Sequence, residues 1–273
     1  MPLIGTSASQ NIKSFLQPNA PTIGTATQVS ATSASVTFTP SASGPAATSF
    51  TVTSSPSGLT ASGASSPITV SGLTTGTAYT FTVLASNGAG NSAASSASNS
   101  VTPAYAVGDT GPGGGYIFYD AGSTLSWGRY LEAAKSTASP SWTDGIYQWS
   151  GNTTSSVSTS DAIGSGMSNT LAMIAQSSTS NRAGTVCRAY TGGGYSSSAT
   201  GWFLPSLNEL DTLYTYRVAA GMRTGVGGAS YYWSSSQNPY WADEAMMIYF
   251  ANRGTQGLAK ASNNTYVRPI RAF

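Results

Sequence analysis

Short runs of alternating apolar and small polar residues mark the first hundred positions of the chain: Val36-Thr37-Phe38, Phe50-Thr51-Val52, Ile68-Thr69-Val70 and, longest, Tyr79-Thr80-Phe81-Thr82-Val83. A period of two sends one face of each run into a core and the other toward water. The runs lie about 10 to 18 residues apart and are bounded by Pro40, Gly44-Pro45, Pro56, Gly58, Gly63 and Gly72, the rhythm of an antiparallel sandwich. Residues 20–103 are therefore predicted to form an all-β sandwich of seven strands, with Phe38, Phe50, Val52, Leu73, Tyr79, Phe81 and Val83 buried together.

Past residue 104 the pattern changes. The glycine-rich Gly111-Pro112-Gly113-Gly114-Gly115 turns into a strand at Tyr116-Ile117-Phe118-Tyr119. No Gly-Lys-Ser/Thr follows it and the next element is a strand, so a phosphate-binding loop is disfavoured. Trp127, Tyr130, Leu131 and Ala134, at i, i+3, i+4 and i+7 after a cap at Ser126, predict a short amphipathic helix, and Met167, Leu171 and Ile174 a second. In Trp202-Phe203-Leu204-Pro205-Ser206-Leu207-Asn208-Glu209-Leu210 a strand runs into a capping box, Ser206 as N-cap and Glu209 three residues on. Leu207, Leu210, Leu213 and Tyr214 form the buried face of that helix. The capping position accounts for Glu209 without a catalytic or metal-binding role.

Charge sharpens the division. Between Lys13 and Asp109 there is no charged side chain in 95 residues, while all six Trp and 14 of the 15 Tyr fall after residue 104. The expected organisation is an arm at 1–19, a sandwich at 20–103, a linker at 104–110 and a second domain at 111–273. With 11 basic and 9 acidic residues the chain has no electrostatic footprint for nucleic acid or an anionic membrane. It has no His, and its single Cys187 has no intramolecular partner. Triads that need His and His-bearing metal sites are excluded. The N-terminus lacks the apolar segment of a secretory signal, and no stretch reaches the roughly 20 apolar residues of a membrane span. A surface-type composition without an export signal fits a virion protein, made in the host cytoplasm and acting outside a cell.

Gly72-Leu73-Thr74-Thr75-Gly76-Thr77-Ala78-Tyr79-Thr80-Phe81-Thr82-Val83, followed by Ala85-Ser86-Asn87-Gly88, resembles the fibronectin type III family. The resemblance implies a tyrosine corner at Tyr79, with Phe38 where the family usually has Trp and Thr75 where it often has Pro. Farther on, Trp127 to Ala134, the Trp202–Leu210 segment, Tyr231-Tyr232-Trp233-Ser234-Ser235 and Tyr266-Val267-Arg268-Pro269-Ile270-Arg271 together resemble the domain at the C-terminus of the Legionella collagen-like adhesin. That family is related to C-type-lectin-like folds and to the formylglycine-generating enzyme scaffold. The resemblance implies a mixed α+β C-type-lectin-like domain whose loops present a binding surface, with Trp233 in the sheet core. It does not imply catalysis, since the formylglycine enzyme uses a pair of cysteines. The calcium signatures of lectins are also missing: Gln237-Asn238-Pro239 lacks the flanking acid, and Asp243 and Glu244 read as a solvated acidic loop.

Tyr240 and Trp241 stand in a polar segment, Ser236 to Asp243, where no periodicity buries them. Large rings among small polar neighbours have the composition of a paratope and can stack on sugars. Tyr195, in Thr191-Gly192-Gly193-Gly194-Tyr195-Ser196, has the same texture, as does Trp142 to Trp149. The expected ligand-binding residues are Tyr195, Tyr240 and Trp241, and the expected assembly anchor is Ile4, Ile12, Phe15 and Leu16. The leading expectation is a non-enzymatic phage structural protein without a cofactor or metal. Its arm would contact other virion proteins and its second domain a host surface polysaccharide or protein, in a homo-oligomer with a trimer among the options. A capsid decoration or head-fibre protein and a bacterial cell-surface adhesin are the alternatives.

Overall fold

The computed structural model describes residues 17–135, 141–195, 201–223 and 230–273. The chain divides into two compact units, Met1–Tyr105 and Ala106–Phe273. Ile4, Ile12, Phe15 and Leu16, the expected anchor, lie outside the described residues.

Unit 1 is the sandwich that the alternation predicts. Its strands are β1 (Thr22–Ser30), β2 (Ser33–Thr39), β3 (Ser49–Ser55), β4 (Thr60–Gly63), β5 (Ile68–Ser71), β6 (Thr80–Asn87) and β7 (Gly90–Asn91). They form two antiparallel sheets, β1-β2-β5 and β4-β3-β6-β7. All seven predicted core residues are buried. Phe38 packs its ring 4.8 Å from that of Phe50. The Tyr79 hydroxyl accepts the Thr74 N–H at 3.1 Å, while the Tyr79 and Val101 backbones exchange two bonds at 2.8 Å.

The free side of β6 is closed by a segment with a period of three. Ser92, Ser95 and Ser98 donate their N–H groups to the carbonyls of Ala85, Val83 and Phe81. Their hydroxyls accept the N–H groups of those same residues at 2.9, 2.9 and 3.0 Å. Three residues of the segment thus span two of the strand, and at each step a serine hydroxyl replaces the backbone carbonyl that a regular partner would supply. Just after the last step, Asn99 forms a two-point bond with the backbone of Ala26 in β1, at 2.9 and 3.0 Å. One segment therefore covers backbone groups of both sheets, which removes an exposed edge without any charge.

Unit 2 contains the strands β8 (Tyr116–Leu125), β9 (Gly128–Ala133), β10 (Tyr231–Gln237), β11 (Glu244–Tyr249), β12 (Gly254–Ala259) and β13 (Ile270–Ala272). Its helices are α1 (Gly166–Gln176), α2 (Ala183–Ala189) and α3 (Leu207–Thr215). The strands form two three-stranded sheets, β13-β9-β8 and β10-β11-β12. The expected linker does not stand free: Ala104 exchanges two bonds with the Gln28 side chain of unit 1, and Gly108 and Asp109 pair with Ile117 of unit 2.

The helix expected at Trp127–Ala134 is instead strand β9, paired with β8 on one side and β13 on the other. The misleading period has a physical source. As the central strand, β9 buries Tyr130, Leu131, Glu132 and Ala133 in succession, so the alternation of a half-exposed strand is lost. Glu132, within that strand, is fully buried and paired with Arg271 at 2.5 Å. The glycine-rich turn closes over it. Gly113 and Gly115 donate their N–H groups to its carboxylate at 2.9 and 3.0 Å. A Cβ at Gly111 or Gly113 would stand 2.4 or 2.6 Å from a carboxylate oxygen.

The other two predicted helices form. In α3 the Ser206 hydroxyl accepts the Glu209 N–H at 3.3 Å, and the Glu209 carboxylate accepts the Ser206 N–H at 2.7 Å. Leu210 and Leu213 are fully buried, Leu207 and Tyr214 partly. In α1 the buried residues are Gly166, Asn169, Thr170 and Met173, while Leu171 is about half exposed, at 49%. A second buried ion pair ties the last segment to the loops. Arg268 holds Asp144 by two bonds of 2.7 Å and donates to the carbonyls of Ala134, Ala220 and Gly221.

Candidate functional site

The turn between β10 and β11, residues 238–243, carries two of the three rings singled out in the sequence. Tyr240 is 86% exposed and Trp241 62%. Its shape is set from below. Gln237, at the end of β10, donates its side-chain amide to the carbonyls of Asn238, Trp241 and Glu244 at 3.2, 2.7 and 2.6 Å. The Asn238 side chain accepts the Tyr240 N–H at 3.0 Å, a local turn that Asn forms readily, and donates to the Glu244 carboxylate at 2.8 Å. On β12, Gly257 leaves room for that pair, since a Cβ there would approach Glu244 and Asn238 to 2.2 and 2.3 Å.

A buried lysine stitches this turn to a second loop. The Lys260 ammonium donates to the carbonyls of Ala242 (2.6 Å) and Ser155 (2.8 Å) and lies 4.9 Å from the centre of the Trp149 ring. Burial lowers its pKa to about 8, opposed by the charge of Asp243. Beyond Ser155, the chain forms a groove of about 300 Å³ with the end of β10, lined among others by Ser158, Thr159, Asp161, Gln237, Asn238 and Pro239. The rings thus sit on a turn that the Gln237, Asn238 and Lys260 side chains hold by hydrogen bonds, next to a polar groove.

Tyr195 is placed differently. It is partly buried, with the Arg271 guanidinium 3.5 Å from its ring centre, and it packs on the cluster of Ala134, Tyr190 and Trp202. The rings of the 142–149 loop are also structural. Trp149 is buried and donates to the Ser234 carbonyl, while Trp142 donates to Asp144 and to the Val267 carbonyl. Trp233 is fully buried, as expected of a sheet-core residue.

A larger cavity, about 590 Å³, is apolar, with Trp127, Met167, Leu171, Phe203 and Phe273 in its walls. Behind Phe203, Glu209 is fully buried, and burial pushes its carboxyl up to about 7. It accepts the N–H groups of Ser206 and Gly164, both at 2.7 Å. One carboxylate therefore caps α3 and the approach to α1, where Ser165 makes no side-chain cap. Cys187 is buried and its thiol is pushed well above its usual range. Among the described residues no group of three or more Cys, Asp or Glu is placed to hold a metal ion, and no helix is long and apolar enough to cross a membrane. Sequence reasoning missed Gln237 and Lys260: the Gln237 side chain binds carbonyls one, four and seven positions on, which no periodicity marks, and Lys260 and Ser155 are 105 positions apart.

Residues 19–101 match the Fibronectin type III domain family, and that part of the chain is a fibronectin type III domain. Solved structures similar to the chain include domains A168–A170 of titin, at 27% identity and a TM-score of 0.30, covering 32% of this chain and 32% of that one. Titin module A71 from human cardiac muscle is 27% identical, with a TM-score of 0.29 and coverage of 32% and 93%. The twitchin kinase region from C. elegans is 20% identical, with a TM-score of 0.29 and coverage of 32% and 17%. The chain thus spans about a third of the titin A168–A170 structure and 17% of the titin kinase and twitchin structures. No curated protein matches it.

Proposed function

We propose that this chain is a non-enzymatic structural protein of a phage particle. In this reading the fibronectin type III domain is a spacer, the second unit is a C-type-lectin-like adhesive domain, and residues 1–19 join the chain to other virion proteins. The observation that carries the adhesive role is the pair of rings at Tyr240 and Trp241, exposed on a turn that Gln237, Asn238 and Lys260 hold from beneath. Exposed rings of this size cost solubility unless something covers them, and a turn already fixed gives up little entropy on binding. The ligand class is a host surface polysaccharide, whose pyranose rings offer apolar faces for stacking.

The test is binding of the full chain to an array of purified bacterial surface polysaccharides, against a variant carrying Tyr240→Ala and Trp241→Ala. The expected result is that the wild type binds at least one polysaccharide and that the double variant, folded by circular dichroism, loses about thirtyfold or more, as removal of a binding hot spot would. Equal binding by the two proteins would overturn the assignment of the site. No binding by the wild type would turn the reading toward a decoration protein without an attachment role.

A further inference from the structure

The outer strands of the two sheets in unit 2 are finished differently. Tyr266 bonds the backbones of Tyr231 and Trp233 along the outer side of β10, and the Pro205 carbonyl accepts the Ser235 N–H. Phe203 and Ile270 exchange two bonds across the edge of β13, at 2.8 and 2.9 Å. At β8, Gly108 and Asp109 pair with Ile117, and Asp120 adds a charge farther along. Strand β12 has no such cover. It reads Gly254-Thr255-Gln256-Gly257-Leu258-Ala259, without a charge or a Pro, and its six pairs with β11 run without a bulge. The Lys260 N–H bonds the Asp243 carbonyl at 2.8 Å, and bonded pairs alternate along an antiparallel ladder, so Leu258 and Gln256 also bond toward β11. Thr255 and Gly257 therefore turn their N–H and C=O groups outward, where no hydrogen bond to them forms among the described residues. Charge, Pro, bulges and covering segments keep an edge from pairing with another chain, and over residues 255–257 β12 has none of them.

We infer that β12 is a dimerisation edge, pairing antiparallel with β12 of a second copy of this chain and joining the two copies of the β10-β11-β12 sheet into one. The edge is complementary to itself. With a two-fold axis at Gln256, Thr255 of one copy faces Gly257 of the other and the two exchange both of their free N–H···O=C bonds, as does the symmetric pair. Every outward group of Thr255 and Gly257 is then used. A shift of register toward Ala259 meets a carbonyl that already accepts the Ser262 N–H at 2.8 Å. Gln256, which is exposed, meets its own counterpart across the axis, and two amides both donate and accept. No charge on β12 opposes another, and Arg253 beside it is already held by Asp211 at 2.7 Å. A second copy supplies this match of free groups by symmetry, whatever the ringed turn binds.

Sedimentation velocity of the full chain, from about 1 to 100 µM, reads the association of the wild type and of the variants Gln256→Lys and Gln256→Glu. The position is exposed, so both variants should keep the fold, which circular dichroism verifies. The wild type is expected to pass from monomer to dimer as its concentration rises. Each variant alone sets like charges face to face on the axis and should weaken the dimer about tenfold or more. An equimolar mixture of the two should restore it, because lysine then faces glutamate. Amide exchange at Thr255 and Gly257 should slow in the wild-type dimer and in the mixture, and stay fast in either variant alone. A wild type that remains monomeric over the whole range would overturn the proposal. So would a dimer or trimer of equal strength in both variants, or a mixture no more associated than its components.

Discussion

The two units solve the same problem, closing a core under strands, with opposite chemistry. Unit 1 does it without charge. Its interior is aliphatic and aromatic, and its last edge is satisfied by serine hydroxyls and one asparagine amide. Unit 2 buries two ion pairs, Asp144–Arg268 and Glu132–Arg271, besides the caged Glu209 and Lys260. A neutral sandwich depends only on packing and short-range bonds, which suits a passive spacer. A domain assembled from irregular loops needs long-range polar anchors, and buried charges fix a loop only where each has a partner. That difference makes the pH and mutational responses of the units separable.

The largest effects should come from breaking one core of each kind. Asp144→Ala leaves Arg268 buried and unpaired and should destabilise unit 2 by about 3–5 kcal/mol. Phe81→Ala should cost unit 1 about 3–5 kcal/mol through the cavity it leaves. Denaturant melts of the full chain, read by tryptophan fluorescence for unit 2 and by far-ultraviolet circular dichroism for the whole, would assign each loss. A cost under 1 kcal/mol for Asp144→Ala would mean that water reaches that pair and that the contrast between the units is overstated.

A smaller but more diagnostic effect is pH. Glu209 titrates at about 7 when folded, against an ordinary value of 4.5. The folded state therefore keeps a proton that the unfolded chain has released. The stability tied to this group is complete below the unfolded pKa and is lost as pH rises through the folded one. The loss is about 3 kcal/mol in unit 2. Glu132 is shifted in the same direction by burial and adds to the slope. Lys260 acts at the other end: its pKa is about 8 when folded against 10.5, so its cost to folding is relieved as pH climbs through that window. Calorimetry at pH 5, 7 and 8 should show the unit 2 transition falling while that of unit 1 stays fixed. Glu209→Gln, which keeps a capping side chain, should flatten the slope; an unchanged slope would show that other groups carry it.

The smallest of these effects tests the serine ladder. Ser95→Ala removes the hydroxyl that accepts the Val83 N–H and should cost about 1–2 kcal/mol, detectable as faster amide exchange at Val83. Unaltered exchange there would show that water replaces the hydroxyl freely.

The sandwich was legible in the sequence because each of its strands has one wet face, and Tyr79 announced its own corner. What escaped there was the segment after β7, since a serine every third residue belongs to no standard period. In unit 2 the capping box at Ser206 and Glu209 was readable because it is local. Strand β9 was misread because burial on both faces erased its alternation and because the partners of Glu132 lie 17, 19 and 139 positions away. The rings of Tyr240 and Trp241 stood out as aromatics without periodic cause. Nothing near Gln237 or Lys260 in the chain shows that they build the floor of the turn.

Acrylamide quenching of tryptophan fluorescence tests the central claim most directly. Of the six tryptophans, Trp149, Trp202 and Trp233 are buried, Trp127 and Trp142 partly so, and Trp241 alone is largely exposed. The free chain should show one readily quenched component, which Trp241→Phe removes and which a bound polysaccharide shields. A polysaccharide that binds the chain while leaving the quenching of Trp241 unchanged would contradict the assignment of this turn as the adhesive surface.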